Sequence, residues 1–199
     1  MKETFWGTIK EIFVTGLISF AIYLFVSIFL VQPHRVKGES MLPNFRDGEL
    51  LLTEKVTYRL NKPKRGDVIV FHPPESLGSL KVIISDLSYI KRIIGLPGEN
   101  VKIEGGTVYI NGQRLTEYYI GVPTGGTMNV DLLPNQYIVL GDNRGASSDS
   151  RVFGPIKDSE IVGRVWIVYW PIFRSTRANG ARVVSGANYG IPDAFNNSR

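Results

Sequence analysis

The sequence predicts a mostly β protein: a single N-terminal transmembrane helix followed by a body of antiparallel β-sheets. Three observations carry this. Residues Ile12 to Val31 contain no charged side chain. Beyond Pro33 the apolar residues fall into short alternating runs broken by Gly, Pro, Asn and Asp, the pattern of strands joined by tight turns. Only the last stretch, Arg174 to Arg199, loses all periodicity.

Residues 1–11 form a short N-terminal segment before the apolar run. At ~1.5 Å per helical residue, residues 12–31 reach across the ~30 Å of a hydrocarbon core. A cleaved leader has an apolar core of only about 7–15 residues and ends in a small-x-small site. Here the run is longer and leads into Phe29-Leu30-Val31-Gln32-Pro33, which has no such site, so an uncleaved anchor is expected. Charge does not orient it, because Lys2 and Lys10 on one side balance Arg35 and Lys37 on the other.

Residues 33–173 are expected to form one folded β domain. Its strands are read at Glu49 to Glu54, Asp67 to Phe71, Ser88 to Ile94, Asn100 to Ile103, Thr107 to Ile110, Gln136 to Leu140 and Ile161 to Tyr169. Asn111-Gly112 is a two-residue hairpin signal that calls for positive φ. With Glu104-Gly105-Gly106 ahead of it, Asn100 to Leu115 reads as a three-strand meander inside a smaller β region at about 97–135. Residues 174–199, rich in Gly, Asn, Ser and Arg, read as a disordered polar tail. There is no internal repeat.

Composition excludes several chemistries. The 199 residues include no cysteine, which removes disulfides, thiolate metal sites and a cysteine nucleophile. The two histidines, His34 and His72, stand in no metal-ligand pattern, so no metal site is expected. The net charge of +5 comes from scattered basic residues rather than basic stretches interleaved with aromatics, which argues against nucleic acid. Arg35, Lys37, Arg174, Arg177 and Arg182 suit an anionic lipid surface, making the bilayer itself a partner.

Three segments carry candidate chemistry. Gly38-Glu39-Ser40-Met41-Leu42-Pro43 sets a serine close behind the apolar run, where a hydroxyl can meet chains emerging from a membrane. Such a serine is either a turn former or a nucleophile that needs a base from elsewhere; Pro43 excludes a Ser-x-x-Lys arrangement. In Tyr89-Ile90-Lys91-Arg92-Ile93-Ile94, a period of two puts Lys91 on one face with Tyr89 and Ile93, and Arg92 on the other with Ile90 and Ile94. One of the two cations is expected to point inward. Burial can lower a lysine pKa by up to ~3–5 units, leaving a neutral amine able to act as base; the alternative is an edge-strand lysine that discourages aggregation. Finally, Gly141 to Arg151 packs two Asp, two Arg beyond its glycine and three Ser into one loop, enough to form a self-satisfied network beside a site.

In this order the segments resemble the type I signal peptidases, or leader peptidases. The resemblance rests on Gly38 to Pro43, Arg65 to Phe71, Tyr89 to Glu99, and Gly141 to Arg151 with Phe153-Gly154-Pro155. It implies a membrane-bound serine endopeptidase that removes signal peptides after a small-x-small motif on the trans side of a plasma or thylakoid membrane. It also implies no cofactor, preprotein substrates and contact with the export machinery. By matching position, Ser40 is the nucleophile and Lys91 the general base. Ser147 orients the lysine, Asp149 and Arg151 form a supporting salt bridge, and Val36, Met41, Val70, Tyr89 and Ile90 line shallow substrate pockets. The chain departs from the family at Gly38, where some members have a serine that helps hold the oxyanion, and at Gly145-Ala146, where many have Asp-Asn. Two rivals are a catalytically silent membrane scaffold of a secretion complex, which should have lost Ser40 or Lys91, and a soluble self-cleaving regulator, which would lack the span.

Overall fold

The structure is a computed structural model that describes residues 2–74, 88–172 and 182–184. Helix α1 runs Lys2–Phe29, so the segment before the apolar run is already helical from Lys2. The run from Trp6 to Ser27 is, among the described residues, the one helix long and apolar enough to cross a membrane. Its large side chains, including Phe13, Leu17, Phe20 and Phe25, are exposed rather than packed on the body. A helix that is apolar all round and has no protein cover matches a lipid environment.

The apolar run does not stay helical to its end. Val31–Arg35 is strand β1, paired antiparallel with β2 at Leu50–Glu54. Pro33 lacks a backbone donor, and β1 lies at the edge of the sheet, the position a strand proline tolerates. The remaining strands are β3 (Val68–Phe71), β4 (Tyr89–Gly95), β5 (Asn100–Glu104), β6 (Thr107–Ile110), β7 (Gln113–Arg114), β8 (Met128–Asp131), β9 (Gln136–Leu140), β10 (Ile156–Lys157), β11 (Ile161–Trp170) and β12 (Arg182–Val183). Two one-turn helices, α2 (Thr57–Leu60) and α3 (Ser150–Phe153), complete the described elements that matter here.

The larger sheet has the order β1-β2-β11-β3-β4-β9-β10. Strand β11 bridges two neighbours: its first half pairs with β3 and its second half with β2. The smaller sheet has the order β7-β6-β5-β8. The expected meander from Asn100 to Leu115 is present, with Asn111 at φ 49 and Gly112 at φ 78 in its turn. It is enlarged by β8, which pairs with the free edge of β5. Strand β8 reads Met-Asn-Val-Asp, too short and too polar to announce itself.

The tail reading needs correction. Residues expected to be disordered include β12, which pairs with β11 through Ile167↔Val183 and Val168↔Arg182. The rest of that tail lies outside the described residues. Two strand residues have little periodicity to detect; their order comes from the vacant β11 edge that they fill.

Three apolar clusters build the core. Val36, Met41, Phe45, Leu51, Val68, Val70, Val165 and Val168 form one, and Ile69, Phe71, Ile93, Tyr137, Val139 and Ile156 another. Alternate residues of β3 enter different clusters, Val68 and Val70 the first, Ile69 and Phe71 the second, so both faces of this strand are covered. The third joins the sheets: Ile94, Ile138 and Leu140 of the larger one meet Val101, Ile103, Val108 and Ile110 of the smaller one. Burial on both faces explains why Lys91 and Arg92 are each only 4% exposed, although they point to opposite sides. The expectation that only one would turn inward assumed a sheet with one wet face.

Ile138→Ala removes a fully buried side chain from the layer that joins the two sheets. It is expected to lower stability by about 2–5 kcal/mol, whereas the exposed Leu133→Ala should stay within about 0.5 kcal/mol. Chemical denaturation in detergent measures both.

Candidate active site

Strand β4 carries Lys91, and the turn after β1 carries Ser40. In the turn, Val36 N–H donates to Glu49 O at 2.8 Å, Gly48 N–H to Val36 O at 2.9 Å and Phe45 N–H to Met41 O at 2.9 Å. Met41 and Phe45 point down into the core, 1% and 2% exposed, leaving Ser40 half-buried above them. The Lys91 Nζ lies 2.7 Å from Ser40 Oγ and 3.0 Å from the carbonyl oxygen of Ile90. The Tyr89 ring centroid is 5.6 Å from the amine.

Burial pushes the Lys91 amine down from 10.5 to about 8, against the opposing pull of Asp149 and Asp142. When protonated, the amine donates to Ser40 Oγ; when neutral, its lone pair can accept the Ser40 proton. This is the arrangement of a hydroxyl nucleophile with a base in hydrogen-bond reach.

The loop from Gly141 to Arg151 follows β9 and wraps the back of this pair. Asn143 N–H donates to Ser40 O at 3.0 Å, and Asn143 Nδ2 donates to Glu39 O at 3.1 Å. Gly141 is pressed so closely against the nucleophile turn that an added Cβ would stand 2.5 Å from Ser40 O and 2.6 Å from Ser147 Cβ. No residue with a side chain fits there without moving Ser40. Arg151 grips Asp149 with two bonds of 2.8 Å, while Gly141 N–H donates to Asp149 Oδ2 at 3.0 Å. Burial alone would raise the Asp149 carboxyl, but the Arg151 guanidinium, the Gly141 N–H and the Ser147 hydroxyl outweigh it and hold it below its ordinary range. The Ser147 Oγ itself is buried, and no described group donates a hydrogen bond to it. Ser148, its neighbour, is exposed and faces the open groove.

That groove has a volume of about 510 Å³ and runs past both Ser40 and Lys91. Val36, Val70, Tyr89 and Ile90 line it. Met41 is not among its lining residues; it is 1% exposed and packs in the core beside Val36 and Val70. His34 also lines the groove, but the side chain bonded to Ser40 is Lys91.

Comparison with known proteins gives the family. The signal peptidase family, peptidase S26, matches residues 9–170. The chain belongs to this family. Signal peptidase I of Leptolyngbya laminosa is 40% identical over 158 residues, 79% of this chain and 77% of that protein. A probable signal peptidase I-1 of Synechocystis is 38% identical over 172 residues, 85% of this chain and 86% of that protein. Signal peptidase IB of Staphylococcus aureus is 36% identical over 182 residues, covering 82% and 90%. The matched stretch in the family includes every candidate residue named above, from Val36 to Arg151.

Several residues around this family site went unrecognised in the sequence. Arg92 makes a two-bond contact with Asp142, at 2.8 and 2.6 Å, and donates to Gly66 O at 2.9 Å. Asn44, four residues after Ser40, donates to Asp142 Oδ2 at 2.8 Å and to Tyr119 O at 3.0 Å. Arg144 reaches out to Glu117 with both Nη atoms, one at 2.9 Å, and back to Gly141 O at 2.9 Å. The only sequence signal was the crowd of charges in one loop; their partners lie on other elements, at separations that no local pattern encodes.

The Lys91 amine is expected to titrate near pH 8, followed by ¹⁵N NMR of its Nζ and assigned by loss of the signal in Lys91→Met. Because the unfolded lysine keeps its proton to about 10.5, the folded state binds fewer protons between about 8 and 10.5. Rising pH through that window therefore favours folding through this group, and the contribution disappears as pH falls through about 8. A titration near 10.5 would mean that the amine is solvated.

Proposed function

We propose that Ser40 and Lys91 carry out the peptide-bond hydrolysis of a signal peptidase I, releasing N-terminal signal peptides from exported preproteins. The chain is a serine peptidase of family S26, and its relatives named as signal peptidase I support removal of signal peptides as its activity. The observation that carries the assignment of roles is the 2.7 Å approach of a buried, weakly basic Lys91 amine to the Ser40 hydroxyl.

The reaction follows from that pair. Neutral Lys91 takes the Ser40 proton as Oγ attacks the scissile carbonyl, and the resulting ammonium protonates the departing amine. An ester to Ser40 remains. Lys91, neutral again, then takes a proton from water, the hydroxide attacks the ester, and the proton returns to Ser40 Oγ as the acid leaves. Developing oxyanion charge is met by backbone donors such as the Ser40 N–H, since Gly38 offers no hydroxyl.

Ser147 is proposed to accept a hydrogen bond from the Lys91 ammonium. The two bonds of Lys91 use two of its three N–H groups when it is charged, and the buried Ser147 oxygen receives a hydrogen bond from no described donor. Asp149 and Arg151 hold the loop that presents Ser147. Substrate selection is proposed to come from Val36, Val70, Tyr89 and Ile90, with Met41 shaping Val36 and Val70 from beneath. A pocket floored by packed apolar side chains gains little from larger residues and overpacks with them, so Ala, Gly or Ser should be preferred at P1 and P3. With α1 in the bilayer, the site stands on the trans side, where the cleavage point of an exported chain emerges.

Ser40→Ala and Lys91→Arg should each abolish cleavage of a labelled preprotein while leaving insertion intact, since a guanidinium stays protonated and cannot act as base. Wild-type activity should rise with pH through about 8 and keep that limb when His34 and His72 are both replaced by Gln. Loss of the limb in the double variant would assign the base to a histidine.

Ser147→Ala should lower kcat with little change in KM, giving up part of a general-base contribution of ~10²–10⁴-fold, while Ser159→Ala, at an exposed serine outside the groove lining, should be near normal. The opposite ranking would remove Ser147 from the site.

A further inference from the structure

We infer that Arg182, in strand β12 and beyond the stretch matched by the family, is a positioning residue that holds the turn carrying Ser40. The inference rests on the reading of Ser40 as nucleophile and extends it to the C-terminal segment. Strand β12 is itself fastened to the sheet by its pairing with β11 and by Val184 N–H donating to Trp166 O at 2.8 Å. From this fixed base Arg182 reaches across to the nucleophile turn, 133 residues away along the chain.

It grips that turn at three points. Its Nη1 and Nη2 donate to the two oxygens of Glu49 at 2.9 and 3.0 Å, a paired contact that fixes direction as well as distance. Its Nη2 also donates to the carbonyl oxygen of Asn44. The guanidinium lies over the Phe45 ring, 5.2 Å from its centroid. All three partners lie between Ser40 and β2. Glu49 is 1% exposed, and its backbone oxygen accepts from Val36 at the other end of the turn.

The mechanical consequence is specific. The turn from Gly38 to Glu49 is anchored near Ser40 through Asn143, at Asn44 through Asp142, and at Asn44 and Glu49 through Arg182. With one anchor removed the turn can shift, and a displacement of about 1 Å between nucleophile and base is enough to lower a rate about 10²-fold. Three of the four apolar groove residues, Val70, Tyr89 and Ile90, come from β3 and β4 rather than from the turn that Arg182 holds, so substrate binding should be little changed.

The experiment uses the full chain in detergent, with a labelled preprotein as substrate and hydrogen exchange of the turn as a readout independent of turnover. Arg182→Ala is expected to lower kcat about 10- to 100-fold with KM within about threefold of wild type. The amides of Val36, Phe45 and Gly48 should exchange faster. Adding Glu49→Gln to Arg182→Ala separates tethering from charge: kcat should stay low. Recovery of kcat in that double variant would show that the defect was a stranded carboxylate and would overturn the positioning role, as would unchanged kcat in Arg182→Ala. Should Arg182→Ala fail to fold, Arg182→Lys keeps the charge but loses the two-bond fork; folded protein with reduced kcat supports the inference, and wild-type kcat overturns it. Turnover by Ser40→Ala would instead defeat the nucleophile assignment, leaving the exchange result to report on the tether alone.

Discussion

Exclusion of water from the Lys91 amine is the constraint on which much of this molecule rests, since burial is what draws a lysine toward neutral pH here. The amine is drawn to about 8 by burial, and two carboxylates nearby work in the opposite direction. Dehydration has to win this contest. It does so because β4 lies in the middle of the larger sheet, between β3 and β9, with apolar clusters on both of its faces. An edge strand could not have provided the same surroundings.

The 2.7 Å contact of this amine with Ser40 adds a second requirement: the hydroxyl must be delivered by an element that does not wander. Ser40 sits in a turn, the kind of element that is ordinarily mobile. Here the turn is clamped from several sides, by Met41 and Phe45 sunk in the core, by Asn143 bonded to the Glu39 and Ser40 carbonyls, and by Arg182 on Glu49 and Asn44. The surrounding ion pairs fit the same purpose. Replacing a buried ion pair by apolar residues is often neutral or stabilising, so such pairs are weak evidence of stability. Arg92–Asp142, Arg151–Asp149 and Arg144–Glu117 are better understood as devices of direction, since each guanidinium also reaches a backbone carbonyl: Gly66, Arg144 and Gly141 respectively.

The strands with clear alternation were legible because their signals are local, whereas Ser40 and Lys91 were singled out as a pair only by the family resemblance. Alternation at Tyr89 to Ile94, the Asn111-Gly112 turn and the apolar run each declare themselves within a few residues, and the order of four motifs carried the family. Strands β1, β8, β10 and β12 were not legible, β10 being only two residues long. Val31 to Arg35 was hidden by the apolar run and by Pro33, β8 is half polar, and β12 has only two residues. Met41 was misjudged for a related reason: proximity to Ser40 in sequence does not say whether a side chain turns toward the groove or into the core.

By itself the sequence determined the membrane-length helix, the β character of the body and the absence of thiol chemistry. Those properties depend on composition and on periods of two or a continuous apolar run, which near neighbours settle. Tertiary structure alone decided which polar groups meet. Ser40 finds Lys91 across 51 residues, Glu39 finds Asn143 across 104, and Glu49 finds Arg182 across 133. Each contact needs a donor and an acceptor brought within about 3 Å, and only the packing of the two sheets sets distances that small between segments so far apart in the chain. The low pKa of Lys91 belongs to the same category, because the exclusion of water is a property of everything packed around the amine.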